Sequence, residues 1–127
     1  TPQEVSLIDA DKGVKMFHQV KVPLLGIVEN MSYFICDGCD KKHHIFRQGG
    51  GKTLAGNFDI PLLGEVPIIG AVSEGGDSGV PIVMSDSQST ASLAYKDLAG
   101  KVAAQLSINQ AKSGEKVSAS FELDWKS

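Results

Sequence analysis

Val22-Pro23-Leu24-Leu25-Gly26-Ile27-Val28, running straight into Glu29-Asn30-Met31-Ser32, is the stretch that decides the fold class. Its first seven residues are apolar without a break and too few for an ordinary helix. A short run of that kind suits a strand covered on both faces, as in the parallel sheet of an α/β protein. It is about a third of what a bilayer span needs, so no membrane crossing is expected. Upstream, Leu7, Ala10, Val14 and Phe17 recur at spacings of three and four and predict a helix ending near His18. Thr1 and Glu4 stand at capping-box spacing with Pro2 between them, which puts the helix start at the very first residues. A helix followed by a buried strand is half of a βαβ unit, whose first strand would precede Thr1. The chain also opens without Met, so either residues were removed or it is a piece of a longer protein.

Downstream, a second helix is expected over Lys52 to Phe58 and a second short buried strand over Pro61 to Val66. Gly70 to Gly79 is rich in glycine, serine and acids and reads as a loop, with Ile82 to Met84 as a brief extended piece. Ser87 or Ser89 then caps a long helix to about Leu106, with Ala91, Ala94, Leu98 and Val102 on one face. Residues 107–116 are polar and linker-like, which divides the chain into a domain over 1–106 and a tail over 107–127. Val117, Ala119, Phe121, Leu123 and Trp125 alternate with polar residues, the period-two pattern of a half-buried strand over 117–125. That strand is expected either at an edge of the same domain or as an addition to a partner's sheet.

With 127 residues the chain has the length of one domain. Twelve bases against fifteen acids give a net charge of −3, which argues against a nucleic-acid or anionic-membrane surface. Its two cysteines are too few and too close for a secreted disulfide scaffold, and they suggest cytoplasm and a metal or redox role.

Those cysteines lie in Tyr33-Phe34-Ile35-Cys36-Asp37-Gly38-Cys39, followed by Asp40-Lys41-Lys42-His43-His44. Asp37-Gly38 is a tight-turn pair, so two short arms fold back with both thiols at the tip. Two thiolates are half of the four ligands that zinc or an iron–sulfur cluster takes. The other half must come from His43 and His44 or from a second copy of the chain. These histidines follow Cys39 more closely than the second pair of a zinc finger does, so a symmetric dimer supplies four ligands with less strain. Free surface thiols, a disulfide and solvated loop histidines are the plainer alternatives. No helix signal begins at Cys36, which disfavours a thioredoxin-type pair.

Gly49-Gly50-Gly51-Lys52-Thr53 invites a phosphate-loop reading, but G-x-x-x-x-G-K-[ST] ending at Thr53 needs glycine at position 46, where Phe46 stands. The glycines read instead as a turn into the following helix. Glu74 and Asp77 to Pro81 read as a solvated turn. Asn30 sits just past the first strand, where open parallel sheets bind ligands and an amide can read a base. No Ser/His/Asp series, close carboxylate pair or basic-aromatic interleaving supports a hydrolase, glycosidase or nucleic-acid reading.

Taken in order, Lys12-Gly13, Met16-Phe17, Pro23 to Asn30 into Met31-Ser32-Tyr33-Phe34, the Cys36/Cys39 pair, Ile45-Phe46, Gly49 to Gly51, Leu54-Ala55, Pro61 to Pro67 and Asp77 to Val83 form one pattern. It closely resembles the C-terminal half of the Mrp (ApbC) family of iron–sulfur cluster carrier ATPases, of the MinD/ParA-like P-loop class. The resemblance covers residues 1–106 and does not extend to the tail. It implies the C-terminal half of a parallel-sheet P-loop NTPase fold with a cysteine-bearing loop or small hairpin. It also implies a homodimer, or a heterodimer of two relatives, holding a 4Fe–4S cluster between subunits through Cys36 and Cys39 of each. The cluster passes to apo iron–sulfur proteins under control of ATP with magnesium. By the same resemblance Asn30, and the backbone near Pro67, contact adenine. Family pairs often read Cys-Pro-x-Cys, where this chain has Asp37. The Walker A loop, switch loops and magnesium-binding aspartate of the family all precede what corresponds to Thr1. The chain alone is therefore expected not to hydrolyse ATP. The competing expectation is a zinc-binding interaction module using Cys36 and Cys39 with His43 or His44, without cluster or nucleotide.

Overall fold

The structure is a computed structural model that describes residues 1–36 and 38–113. Residues 117–125 lie outside the described residues.

The first helix, α1, spans Glu4–Gln19 and buries Val14. Its N-cap is Gln3, in extended conformation, and not Thr1. The capping box of Thr1 with Glu4 is therefore not formed. With Pro2 and Gln3 outside the helix, Glu4 is its first residue and cannot reach back as the third would. The Thr1 hydroxyl donates to Ser6 Oγ at 2.6 Å instead, and Glu4 pairs with Arg47 at 3.0 Å.

Strand β1 (Ile27–Ile35) pairs parallel with β3 (Leu62–Ile68) and antiparallel with β2 (Lys42–His43), in sheet order β2-β1-β3. The parallel α/β pairing is thus present, but the strand starts at Ile27 and not at Val22, and it is not covered on both faces, since Val28 and Met31 are exposed. Ile27 N–H donates to Pro61 O at 2.8 Å, and β3 offers no earlier partner to the apolar residues before it. Gly26 permits that close approach, since a Cβ there would come 2.5 Å from the same oxygen. Helix α2 (Gly50–Asn57) packs against β1 and β3 and buries Leu54 and Ala55. Leu63 and Val66 of β3 complete the centre of the core.

Gly70–Ser78, expected as a loop, is helix α3. Helix propensity argues against so glycine-rich a sequence; the turn that ends the helix needs glycine at 75, since Val80 N–H donates to Gly75 O at 2.8 Å and a Cβ there would meet Val80 O at 2.5 Å. Gly79, left-handed at φ 74°, then ends the helix. Ile82–Ser85, expected extended, is a single helical turn, α4, with Ile82 buried. Three apolar residues carry no period that separates the two states.

Helix α5 spans Thr90–Ser113 and packs on β3. Ser89 caps it as expected, accepting the Ser92 N–H at 3.2 Å. The helix continues past Leu106, so the linker reading of 107–116 gives way to helix as far as Ser113. Among the described residues no helix is long and apolar enough to cross a membrane.

Candidate functional site

The thiols sit at the far end of β1, where the chain turns back into β2. Phe34 pairs with His43 and Ile35 with Lys42. Cys36 N–H donates to Lys41 O at 3.0 Å, and Cys36 O accepts the N–H groups of Cys39 at 3.3 Å and Asp40 at 2.8 Å. Asp40, left-handed at φ 55°, completes the turn. The expected pair of short arms with both thiols at the tip is therefore formed. Cys39 is exposed, Cys36 is half-buried, and no disulfide joins them.

Below the tip, the Lys42 ammonium lies 3.7 Å from the centre of the Tyr33 ring, close enough for a cation–π contact that ties the two arms together. Burial, with the Glu65 carboxylate adding to it, pushes the Tyr33 phenol above its ordinary value. His44 Nδ1 lies 3.2 Å from Ser32 O, and its ring meets Tyr33 edge-on. That imidazole is thus engaged at the root of the hairpin, while His43 is exposed on β2. Among the described residues no group of three or more His, Cys, Asp or Glu side chains is placed to hold a metal ion.

Asn30, expected just past the end of the first strand, stands instead inside β1, which continues to Ile35 through an irregular stretch. Glu29 pairs with Glu65 and Tyr33 with Pro67, so four steps along β1 match two along β3. The surplus residues form a bulge, with Met31 at φ 55° and its N–H donating to Asn30 Oδ1 at 2.9 Å. Asn30 is exposed. Pro67 is buried in β3 opposite Tyr33, so it shares the C-terminal end of the parallel pair with Asn30 but presents no open ring.

What fixes the bulge is a residue that sequence reasoning missed. Glu29 is 2 % exposed and Ser32 1 %. Ser32 Oγ donates to Glu29 Oε1 at 2.6 Å, and Gly51 N–H donates to Glu29 Oε2 at 2.5 Å. One carboxyl thereby spans the bulge and caps the positive end of α2. Gly51 has no room for a side chain, since a Cβ would lie 2.9 Å from Glu29 Oε2. The signal available in the sequence was an acid and a serine inside a strand, because acids are rarely buried without a partner. Of the three glycines expected as a turn, only Gly49, left-handed at φ 80°, turns the chain; Gly50 and Gly51 open α2, and the Gly51 N–H is already taken by Glu29. Glu74 and Asp77 lie exposed on α3, away from both features.

A short parallel sheet with a helix behind it, a bulged strand edge and a thiol hairpin beyond define part of a P-loop NTPase-type α/β domain. A solved nucleotide-binding protein from Archaeoglobus fulgidus, in complex with ADP, superposes with a TM-score of 0.54 at 37% identity, over 62% of this chain and 32% of that one. The family model described as ParA, NUBPL iron-transfer P-loop NTPase, matches residues 1–103, and the chain belongs to that family. It is 48% identical over 109 residues to an iron-sulfur cluster carrier protein of Synechocystis, covering 85% of this chain and 31% of that protein. It is 46% identical over 102 residues to the iron-sulfur protein required for NADH dehydrogenase, mitochondrial, of Arabidopsis thaliana, covering 80% and 33%. Against the mouse iron-sulfur cluster transfer protein NUBPL it is 43% identical over 106 residues, covering 84% and 33%. The chain spans about a third of the length of these curated relatives.

Proposed function

We infer that this chain is the part of an iron–sulfur cluster carrier that holds the cluster and reads the nucleotide base. The observation that carries this reading is the continuity of β1: one strand presents Asn30 at its bulge and ends at Ile35, directly before Cys36. Cys36 and Cys39 bind the cargo, a 4Fe–4S cluster, as thiolates. Each chain offers two sulfurs, so a homodimer provides the four that such a cluster takes. Apo iron–sulfur proteins are the acceptors. The names of the relatives support cargo of this class.

Asn30, with the backbone at Pro67, contacts the adenine of ATP. Magnesium and the phosphates belong to the remaining two thirds of a family member. The open edge of β1 supports this division, because among the described residues β2 pairs only with Phe34 and Ile35. Exposed Val5, Ile8 and Met16 on α1, with Val20 just after it, add apolar surface of the kind a neighbouring layer covers. A cytoplasmic setting agrees with close, reduced thiols. The role of His44 at Ser32 and Tyr33 weighs against zinc held by Cys36, Cys39 and that imidazole.

Anaerobic reconstitution with iron and sulfide tests the reading. The expected product is brown, with a broad sulfur-to-iron charge-transfer band that is lost in Cys36→Ser and in Cys39→Ser. A colourless chain with one zinc, released by His43→Ala or His44→Ala, would overturn it in favour of a zinc module.

A further inference from the structure

The turn that carries the thiols is built to close on itself. The bond from Cys39 N–H to Cys36 O is that of a four-residue turn, which holds its end Cα atoms within about 7 Å. A disulfide spans Cα separations of about 4.4 to 6.8 Å, so the backbone already stands near that range. Cys36 Sγ leans over the turn: a Cβ added to Gly38 would meet it at 3.9 Å. Because position 38 carries no side chain, nothing from that residue crowds the sulfur. Cys39 is the more exposed of the two thiols. Neither cysteine stands at the start of a helix, so no helix dipole stabilises the separate thiolates against pairing.

We propose that Cys36 and Cys39 form a reversible oxidation site, closed to an intramolecular disulfide by a small disulfide such as oxidised glutathione. The Cys39 thiolate attacks one sulfur of the oxidant and releases one glutathione thiolate, leaving a mixed disulfide on Cys39. The Cys36 thiolate then attacks Cys39 Sγ and releases the second glutathione. The two thiol protons pass to the two released thiolates, and the two electrons lost by the protein sulfurs reduce the oxidant. Closure removes both sulfur ligands from metal binding, since only thiolates ligate. That last consequence rests on the reading of the pair as ligands; the closure itself does not.

The test uses the reduced full chain, without metal, treated with oxidised glutathione under argon. Intact mass should fall by two hydrogens, with no alkylatable thiol, no attached glutathione and a monomer on a non-reducing gel. Dithiothreitol should restore both thiols. Cys36→Ser should stop at a stable glutathione adduct on Cys39. A wild-type chain that keeps its thiols, accumulates the adduct or links to a second chain would overturn the proposal. Cobalt(II) uptake, read by its thiolate charge-transfer band, separates the two parts: the reduced chain should take up cobalt and the oxidised chain should not. Closure with no cobalt uptake by the reduced chain would overturn the ligand reading alone.

Discussion

Glu29 is an acid where a buried strand offers no obvious reason for one, and the structure supplies the reason in two hydrogen bonds. Removing it should cost more than an ordinary surface change. Glu29→Ala leaves the Gly51 N–H and the Ser32 hydroxyl without their partner in a buried setting, and roughly 2 kcal/mol or more of stability should be lost. The midpoint of urea unfolding measures this; an unchanged midpoint would show that water replaces the carboxyl. Two glycines of α2 give a matched contrast. Gly51→Ala drives a Cβ against the Glu29 carboxyl and should destabilise by about 1–3 kcal/mol. Gly56→Ala meets nothing within 4 Å and should be neutral or stabilising by about 0.5–1 kcal/mol. At this scale the sequence foretold the turn that brings Cys36 and Cys39 together, but not the bulge that holds Asn30 inside β1. It was silent on Glu29 and Ser32, whose role depends on Gly51, some twenty positions away.

Among the elements, the hairpin of β1 and β2 carries the thiols and is held below its tip by Tyr33 and Lys42. The raised phenol of Tyr33 means that the folded chain holds that proton more tightly than the unfolded chain does. Stability from this source is fully present below the unfolded value of 10.0 and is lost as pH rises past it and through the higher folded value. Thermal melts on either side of pH 10.0 should therefore show an alkaline loss that shrinks in Tyr33→Phe. An equal loss in that variant would assign the effect to other groups. The strands β1 and β3 and helices α1 and α2 follow from apolar pattern, and the start of α5 from its Ser89 cap. Helix α3 does not, because its glycines, serine and acids read locally as a loop and it buries no residue that would show as an apolar stripe. The far end of α5 was missed for the opposite cause. Its polar residues favour helix well enough, but with Leu106 and Ile108 largely exposed they show no core-facing stripe.

For the molecule as a whole, the fold class and the family were legible because motif order along the chain is a long-range signal that local propensity lacks. The extent of the helical layer was not, since it depends on packing. The chain covers about a third of its curated relatives, and it contains no complete G-x-x-x-x-G-K-[ST] loop. The purified chain should accordingly show no magnesium-dependent ATP turnover above that of Asn30→Ala. Measurable turnover lost in that variant would mean that phosphate chemistry resides in these residues. The proposed function has two copies sharing one cluster through Cys36 and Cys39. Native mass spectrometry of the anaerobically reconstituted chain tests it most directly. The expected result is one species of two chains with a single 4Fe–4S cluster, falling to cluster-free monomers in Cys39→Ser; a monomer carrying its own cluster or one zinc ion would overturn the shared-cluster proposal.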